Sequence, residues 1–248
     1  MKIDYLPLLE IQRGLYGLPR GRERFEAYLA TMIDAESGDL ALPLPAMNPM
    51  GKDHLPALLD EYLAQDADGA AARAVAALAG ELADEPGGSF RACLVLSDDG
   101  QGGWTNRFTT EYGNRFEINA LSRRGWMVGL LWSSEPAHAE RAAREALAAV
   151  WRGVWFRRHG VPRTLAEMLA QEGWVMARAG WSEPALGAED LAYTREVLAP
   201  HLDSTDRAVT IACLYGDRAA ESLGYAPQGL SDRAGLALAL ADARAAAG

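Results

Sequence analysis

Lysine is almost absent from this chain, whose 248 residues include only Lys2 and Lys52 against twenty-two arginines. Because arginine serves wherever any cation suffices, a retained lysine is a candidate for a task that a guanidinium group does not perform. Lys52 lies within Asn-Pro-Met-Gly-Lys-Asp-His at residues 48–54, between an apolar run and a helical pattern. In α/β proteins, groups that bind ligands are found at such positions. This segment is therefore a first candidate for a functional site.

Cysteine is equally scarce. The two cysteines, Cys93 and Cys213, each lie inside an apolar run, which indicates buried free thiols in a reducing compartment rather than a disulfide. Neither belongs to a CxxC motif or to a Cys/His ligand cluster, which argues against a structural zinc site. No motif identifies a catalytic metal or an organic cofactor, and both remain unknown from the sequence.

Long apolar runs are also missing, since no stretch approaches the roughly 18 uninterrupted residues of a membrane-spanning helix. The first residues show neither the apolar core nor the cleavage site of a signal peptide. The formal net charge is -10, which disfavours nucleic acid and anionic membranes as partners. We therefore expect a cytoplasmic protein that binds neither.

The composition is that of a globular protein, with 49% hydrophobic and 23% charged residues. A chain of this length can bury one full core. We predict a single α/β domain over residues 1–248, in which residues 1–38 form a helical extension or lid. The sequence leaves open whether the protein forms a homo-oligomer.

Helical periodicity dominates the chain. After Pro19, the apolar residues Phe25, Tyr28 and Leu29 begin such a pattern. Two helices are predicted between residues 53 and 84, and a long one from a cap at Ser134 to Gly160. Further helices are predicted over residues 6–18, 107–116, 164–171, 188–198 and 231–247.

Two apolar runs, residues 90–96 and 126–132, have the pattern of strands buried on both faces. Residues 40–46 form a weaker strand candidate because Pro43 and Pro45 cannot donate to a sheet. Residues 208–214 fit a strand or a helix. The alternation predicts an α/β fold, with a layered and largely parallel sheet flanked by helices and an amino-terminal helical segment.

Ligands of such sheets bind beyond the carboxyl ends of the strands. Four polar segments would project from that edge if the strands are as predicted: residues 48–54, 97–107, 133–138 and 215–218. Their convergence is the main argument for a site. It depends on the strand assignments.

In the first segment, Lys52 would stand at a helix amino terminus, where the helix dipole disfavours a cation. An anionic ligand would offset that cost, and amides around Gly51 could hold the same anion. Asn48 would contact the ligand. His54, in the first helical turn, would be kept neutral as a base or a metal ligand. Equally, Lys52 and His54 could simply be exposed to solvent.

The second segment joins Asp98 and Asp99 to a glycine-rich stretch that includes Trp104 and Arg107. Either aspartate could act as a general base or bind a hard cation, and Arg107 could bind an anion. Trp104 is the one tryptophan that core packing does not readily explain, so we expect it at the ligand. The competing interpretation is turn chemistry for the aspartates and a salt-bridged helix face for Arg107.

The remaining candidates are Glu135, His138 and Asp217. Glu135 and His138 are spaced i, i+3, which would place a carboxylate and an imidazole on one helix face. Asp217 would complete a set of carboxylates if residues 208–214 form a strand. Each residue could instead stabilise a helix end.

These patterns favour an enzyme acting on a small anionic metabolite by acid-base or metal-assisted chemistry. In that hypothesis Lys52, Asp98, Asp99 and His138 are catalytic, and the other candidates bind substrate. The alternatives are a non-catalytic small-molecule binder and a protein-interaction module. No HExxH, GxSxG or GxGxxG motif identifies the reaction class.

Overall fold

The computed structural model describes residues 1–85, 87–100 and 105–247. By the density of its internal contacts the chain divides into two compact units. Unit 1 comprises Met1–Thr110 and Ile118–Val150, and unit 2 comprises Glu111–Glu117 and Trp151–Gly248. The prediction that residues 1–248 form a single domain stays a prediction.

Unit 1 holds a three-stranded parallel sheet in the order β1-β2-β3. Its strands are β1 (Lys2–Tyr5), β2 (Ser89–Ser97) and β3 (Trp126–Trp132). Its helices are α1 (Leu9–Tyr16), α2 (Arg22–Met32), α3 (His54–Ala64), α4 (Ala67–Ala77) and the short α6 (Ala120–Arg123). Two helices, α5 (Arg107–Phe116) and α7 (Ala139–His159), contribute residues to both units. This confirms the predicted α/β fold with a parallel sheet flanked by helices.

The central strand β2 is longer than its neighbour β1, which pairs with it only as far as Tyr5 and Ala92. Farther along the same edge, the buried Gln12 side chain of α1 replaces a strand. Its Nε2 donates to the Leu96 carbonyl at 3.1 Å, and its Oε1 accepts from the Leu96 amide at 2.9 Å. A buried backbone must have its hydrogen bonds satisfied, and Gln12 does this for β2 while fixing α1 against the sheet.

Unit 2 is helical. It contains α8 (Leu165–Arg178), α9 (Ala188–Leu198), a short 3-10 helix (Ala199–His201), α10 (Arg207–Tyr215), α11 (Asp217–Ser222) and α12 (Ala234–Ala247). Helix α8 has the clearest sequence signal, a capping box in which Thr164 and Glu167 satisfy each other's backbone amides. None of the described helices is long and apolar enough to cross a membrane.

Two expectations about elements are wrong, for residues 40–46 and for the start of α7, and the open alternative at residues 208–214 is resolved. Residues 40–46 form no strand, and only Leu40 makes an isolated bridge, to Ile33. Residues 208–214 lie in α10, whose amino terminus is capped by the Asp206 carboxylate. Helix α7 begins at Ala139 rather than near Ser134, because Ser134 and Glu135 are engaged in contacts with other loops. Strand β1 was not predicted at all.

Candidate functional site

The register of the sheet brings two loops together at its carboxyl edge. Ser97 of β2 is paired with Trp132 of β3, so the next residues, Asp98 and Ser133, are neighbours. The Ser133 amide donates to the Ser97 carbonyl at 3.0 Å and extends the pairing by one step. This is the edge at which the sequence predicted a site.

Asp98 is the centre of the resulting polar cluster and is only 3% exposed. Its Oδ2 accepts from Nδ2 of Asn48 at 2.7 Å. Its Oδ1 lies 3.0 Å from the hydroxyl of Ser133, which donates to it, and 3.1 Å from Nε2 of His54. A buried carboxylate is tolerated when it is hydrogen-bonded in this way. Three of the predicted residues, Asn48, His54 and Asp98, are therefore in contact.

The loop at residues 48–54 is held against the sheet by its backbone. The Tyr16 hydroxyl donates to the Asn48 carbonyl at 2.6 Å, and Arg24 donates to the Gly51 carbonyl at 3.3 Å. A Cβ at Gly51 would lie 2.1 Å from Cδ1 of Leu55, so a larger residue there would displace the buried Leu55 side chain. These contacts explain why Asn48 and His54 reach Asp98 although more than forty residues separate them in sequence.

The two nitrogens of the His54 ring have different surroundings. Nε2 faces the Asp98 carboxylate, which favours a proton on Nε2 when the ring is neutral. Nδ1 is buried and has no hydrogen-bond partner among the described residues. The side chain as a whole is 17% exposed. The ring is thus oriented by Asp98 and keeps one nitrogen uncommitted.

Asp99 belongs to a second group of contacts, around Arg107. Its carboxylate accepts from the amide and hydroxyl of Ser134 at 2.9 and 2.7 Å and lies 3.6 Å from Arg107. The guanidinium group of Arg107 also pairs with Glu135 and lies 5.2 Å from the Trp132 ring centroid. Glu135 pairs with Arg141 in turn, at 2.6 Å. These ion pairs tie the two strand-end loops together and explain why α7 starts late.

Two other sequence candidates, Lys52 and His138, are exposed. Glu135 and His138 both precede α7, so the predicted pair on one helix face is wrong. Asp217 belongs to unit 2, where its carboxylate accepts from the backbone amides of Gln228 and Gly229 at 2.8 and 3.0 Å. Trp104 lies outside the described residues.

The surroundings of the cluster are desolvated and acidic. Burial, together with the nearby Asp98 carboxylate, raises the pKa of the Tyr16 hydroxyl. Burial and the charge of Glu135 raise the pKa of Tyr62 to about 12. Charges in such surroundings interact more strongly than in water.

The arrangement of the three side chains differs from that of a Ser-His-Asp triad, in which histidine lies between serine and aspartate. Here Asp98 stands between Ser133 and His54. The Ser133 oxygen also accepts from the amides of Asp99 and Gly100, both at 3.1 Å. With its lone pairs engaged, this hydroxyl supports the loop rather than serving as an activated nucleophile.

Three participants were missed at the sequence level: Ser133, Ser134 and Arg141. The available signal was the position of the two serines directly after a buried strand. Over the described part of the chain, no group of three or more His, Cys, Asp or Glu side chains is arranged to hold a metal ion.

Comparison of the chain with protein-family models, with curated proteins and with solved structures found no match. The site is therefore interpreted from its own geometry.

Proposed function

We propose that this protein is an enzyme that acts on a small anionic metabolite by acid-base chemistry at the carboxyl edge of the sheet. The observation that carries the proposal is the His54–Asp98 pair. A buried aspartate orients the ring through Nε2, and Nδ1 has no partner among the described residues. A carboxylate that fixes the tautomer of a histidine is a recurrent arrangement in general acid-base catalysis.

In this proposal His54 accepts a proton from the substrate at Nδ1 and can return it later, and Asp98 stabilises the imidazolium ion that forms in between. Asn48 and Ser133 keep the Asp98 carboxylate in place. Because Nδ1 is covered in the structure, the ring or the groups above it must move when substrate binds. Such rearrangements accompany substrate binding in many enzymes.

The anionic group of the substrate is assigned to Lys52, which is exposed and lies two residues before His54. Arg107 is 15% exposed and pairs with Asp99 and Glu135. These ion pairs support a positioning role for Arg107, Asp99 and Glu135.

The test is a turnover screen in which the purified protein is incubated with a mixture of small metabolites and analysed by mass spectrometry. His54→Gln keeps an amide donor for Asp98 but cannot accept a proton at neutral pH. Asp98→Asn removes the charge that orients the ring. His159→Gln is the matched control, because His159 is exposed and belongs to unit 2. Circular dichroism checks that each variant is folded.

We expect at least one compound to be consumed by the wild-type protein and by His159→Gln, and its consumption to fall about 100-fold or more in His54→Gln. Consumption that survives in His54→Gln would overturn the assignment of the site. A compound that binds without being consumed would overturn the enzyme and favour the small-molecule binder. Neither binding nor consumption would leave the protein-interaction module as the better hypothesis.

A further inference from the structure

Unit 2 contains a cavity of about 710 Å³ that the polar cluster does not involve. It is lined by residues of α7, α8 and α12 and by Leu202, which follows the 3-10 helix. Small-molecule sites in proteins have volumes of roughly 300–1,000 Å³. The cavity is therefore large enough for one such molecule.

The floor of the cavity is formed by its two buried lining residues, Gly173 of α8 and Ala239 of α12. A Cβ on Gly173 would lie 2.4 Å from the carbonyl oxygen of Ala239 and 3.2 Å from Cβ of Ala243. The two helices are therefore in backbone contact at this point. Because the side chains there are so short, the space above them is open to a ligand.

The largest side chains of the lining are Trp155 and Trp174, whose rings are in contact with each other. Their centroids are 5.5 Å apart, and the rings are tilted by 56°. Both tryptophans are half-buried, so together they present one continuous apolar wall. Aromatic side chains around a concave surface are typical of sites for apolar ligands.

Both charged residues of the lining are engaged by other groups. The carboxylate of Asp242 pairs with Arg195. The guanidinium group of Arg178 is 4.9 Å from the ring centroid of Trp151 and 4.8 Å from that of Trp174. A charged ligand would have to give up its hydration and compete with these contacts. The lining therefore favours an uncharged ligand.

The apolar surface is recessed, which favours a small molecule over a protein partner. Among the described large apolar side chains, Leu202 is the only exposed one that lines the cavity. A stable protein interface buries about 800 Å² of each partner around an apolar core. One exposed leucine beside a recess does not supply such a surface.

From the volume, the apolar lining and the engagement of its two charged groups, we infer that the cavity binds an uncharged apolar small molecule. The ligand lies on the floor at Gly173 and Ala239, beside the wall that Trp155 and Trp174 form together. This adds a binding function in unit 2 to the chemistry proposed at the sheet edge, and it does not depend on His54 or Asp98.

The test uses two fluorescent probes that share one skeleton. N-phenyl-1-naphthylamine is uncharged, and anilinonaphthalene sulfonate carries an added sulfonate group. The full-length protein is titrated into a fixed low concentration of each probe, and Kd is obtained from the change in fluorescence. For the uncharged probe we expect a Kd below about 0.2 mM, the affinity that drug-sized ligands of its size reach. The sulfonate should bind about tenfold more weakly, because its charge loses hydration without gaining a partner.

Two variants with matched controls place the probe in the cavity. Ala170→Trp adds a large ring to the lining one turn before Trp174 and should weaken binding about tenfold or more. Ala245→Trp introduces the same residue at an exposed position of α12 outside the lining and should bind as the wild type does.

The second variant removes part of the lining instead of filling the space. Leu202→Ala should weaken binding about threefold through lost apolar contact. Its control is Ile11→Ala in α1 of unit 1, which should change nothing, because Ile11 and Leu202 are each 38% exposed but Ile11 is outside the lining.

Failure of the wild-type protein to bind N-phenyl-1-naphthylamine would overturn the inference, as would binding that survives Ala170→Trp. Equal affinity for the two probes would overturn the assignment of an uncharged ligand. A dimer in sedimentation that dissociates in Ala170→Trp would assign the cavity to a second copy of the chain instead. Thermal unfolding of each variant distinguishes loss of the site from loss of the fold, and none of these outcomes depends on turnover at His54.

Discussion

Among single residues, Glu172 of α8 is the most completely buried charge, with no exposed surface. Arg152 donates to it twice, at 2.8 and 3.0 Å, and Arg115 forms a further ion pair with it. Burial alone would raise the pKa of Glu172, but the charges of Arg152 and Arg115 outweigh it and lower the pKa to about 2. The carboxylate and the two arginines therefore depend on one another inside unit 2.

Glu172→Gln is expected to destabilise the protein by about 3 kcal/mol, because it removes the carboxylate with which the buried guanidinium groups of Arg152 and Arg115 pair. Urea unfolding followed by circular dichroism measures this. The control is Glu140→Gln, which removes an exposed carboxylate paired with Arg144 at 3.2 Å and should have a far smaller effect. Equal destabilisation by the two substitutions would contradict the assigned role of Glu172.

The same residue predicts a dependence on pH. Its pKa is about 2 in the folded protein against an ordinary value of 4.5. Between these values the unfolded chain binds more protons than the folded one, so the contribution of Glu172 is complete above pH 4.5 and is lost as the pH falls towards 2. Unfolding free energies should fall more steeply over that interval in wild type than in Glu172→Gln. Parallel pH profiles would refute the prediction.

The cysteines supply another prediction at this scale. Both are free, and neither Cys93 nor Cys213 has exposed surface. Burial raises the pKa of the Cys93 thiol, and raises that of Cys213 from 9.0 to about 11. Near pH 8 the thiolate fraction of Cys213 should fall about a hundredfold. Iodoacetamide should therefore label both cysteines quickly in urea and much more slowly in the native protein. Mass spectrometry measures the labelling rates. A cysteine that reacts in the native protein as fast as in urea would contradict the prediction.

For the secondary-structure elements, the sequence is most informative where burial is complete on both faces. Strand β3 coincides with the apolar run at residues 126–132, and β2 extends the run at residues 90–96 by one residue at each end. Strand β1 was missed because Lys2–Tyr5 is short and only partly buried. It is recognised as a strand from its pairing with β2 and has no apolar run of its own. The run at residues 208–214 is ambiguous, and the cap at Asp206 with burial inside a helical unit favours the helix.

Asp98 was predictable from the recognised strands, whereas Asn48 and His54 reach it although residues 40–46 before them form no strand. Because β2 and β3 were recognised, the polar residues after β2 could be placed at the carboxyl edge, and Asp98 lies there with Asn48 and His54. Asp217 was misplaced because its assignment required a strand that is α10. The role of Arg107 could not be decided from spacing, since its partners Asp99 and Glu135 lie on two different loops.

Packing between elements gives a further prediction, at Gly129 of β3. A Cβ there would lie 2.8 Å from Cδ2 of Leu94 and 3.0 Å from the carbonyl carbon and oxygen of Glu145 in α7. Gly129→Ala should therefore destabilise the protein by about 1–3 kcal/mol through overpacking. The control is Gly14→Ala in α1, where nothing lies within 4 Å, and alanine should stabilise by roughly 0.5–1 kcal/mol. Thermal unfolding of the two variants tests whether their stability changes have opposite signs. If Gly129→Ala is as stable as the wild type, α7 can move to accommodate the added Cβ.

At the scale of the whole molecule, unit 2 is formed by two separate stretches of the chain. Residues 111–117 belong to unit 2, although unit 1 supplies the chain on either side of them. They carry Glu111 and Arg115, which are buried and pair with Arg233 and Glu172. Unit 2 is therefore not a contiguous stretch of sequence.

A fragment of residues 151–248 is accordingly expected not to fold on its own. It would lack Arg115, the second partner of Glu172, and Glu111, which accepts from Arg233 at 2.7 and 3.0 Å. Arg233 has a left-handed φ of 57°, a conformation that costs on the order of 1–2 kcal/mol in a residue other than glycine. Without Glu111 the ion pair that holds the Arg233 side chain in place would be lost. For the fragment we expect a weak helical circular dichroism signal and a poorly dispersed NMR spectrum. The full chain should unfold cooperatively. A fragment that also unfolds cooperatively would show that these buried ion pairs do not hold unit 2 together.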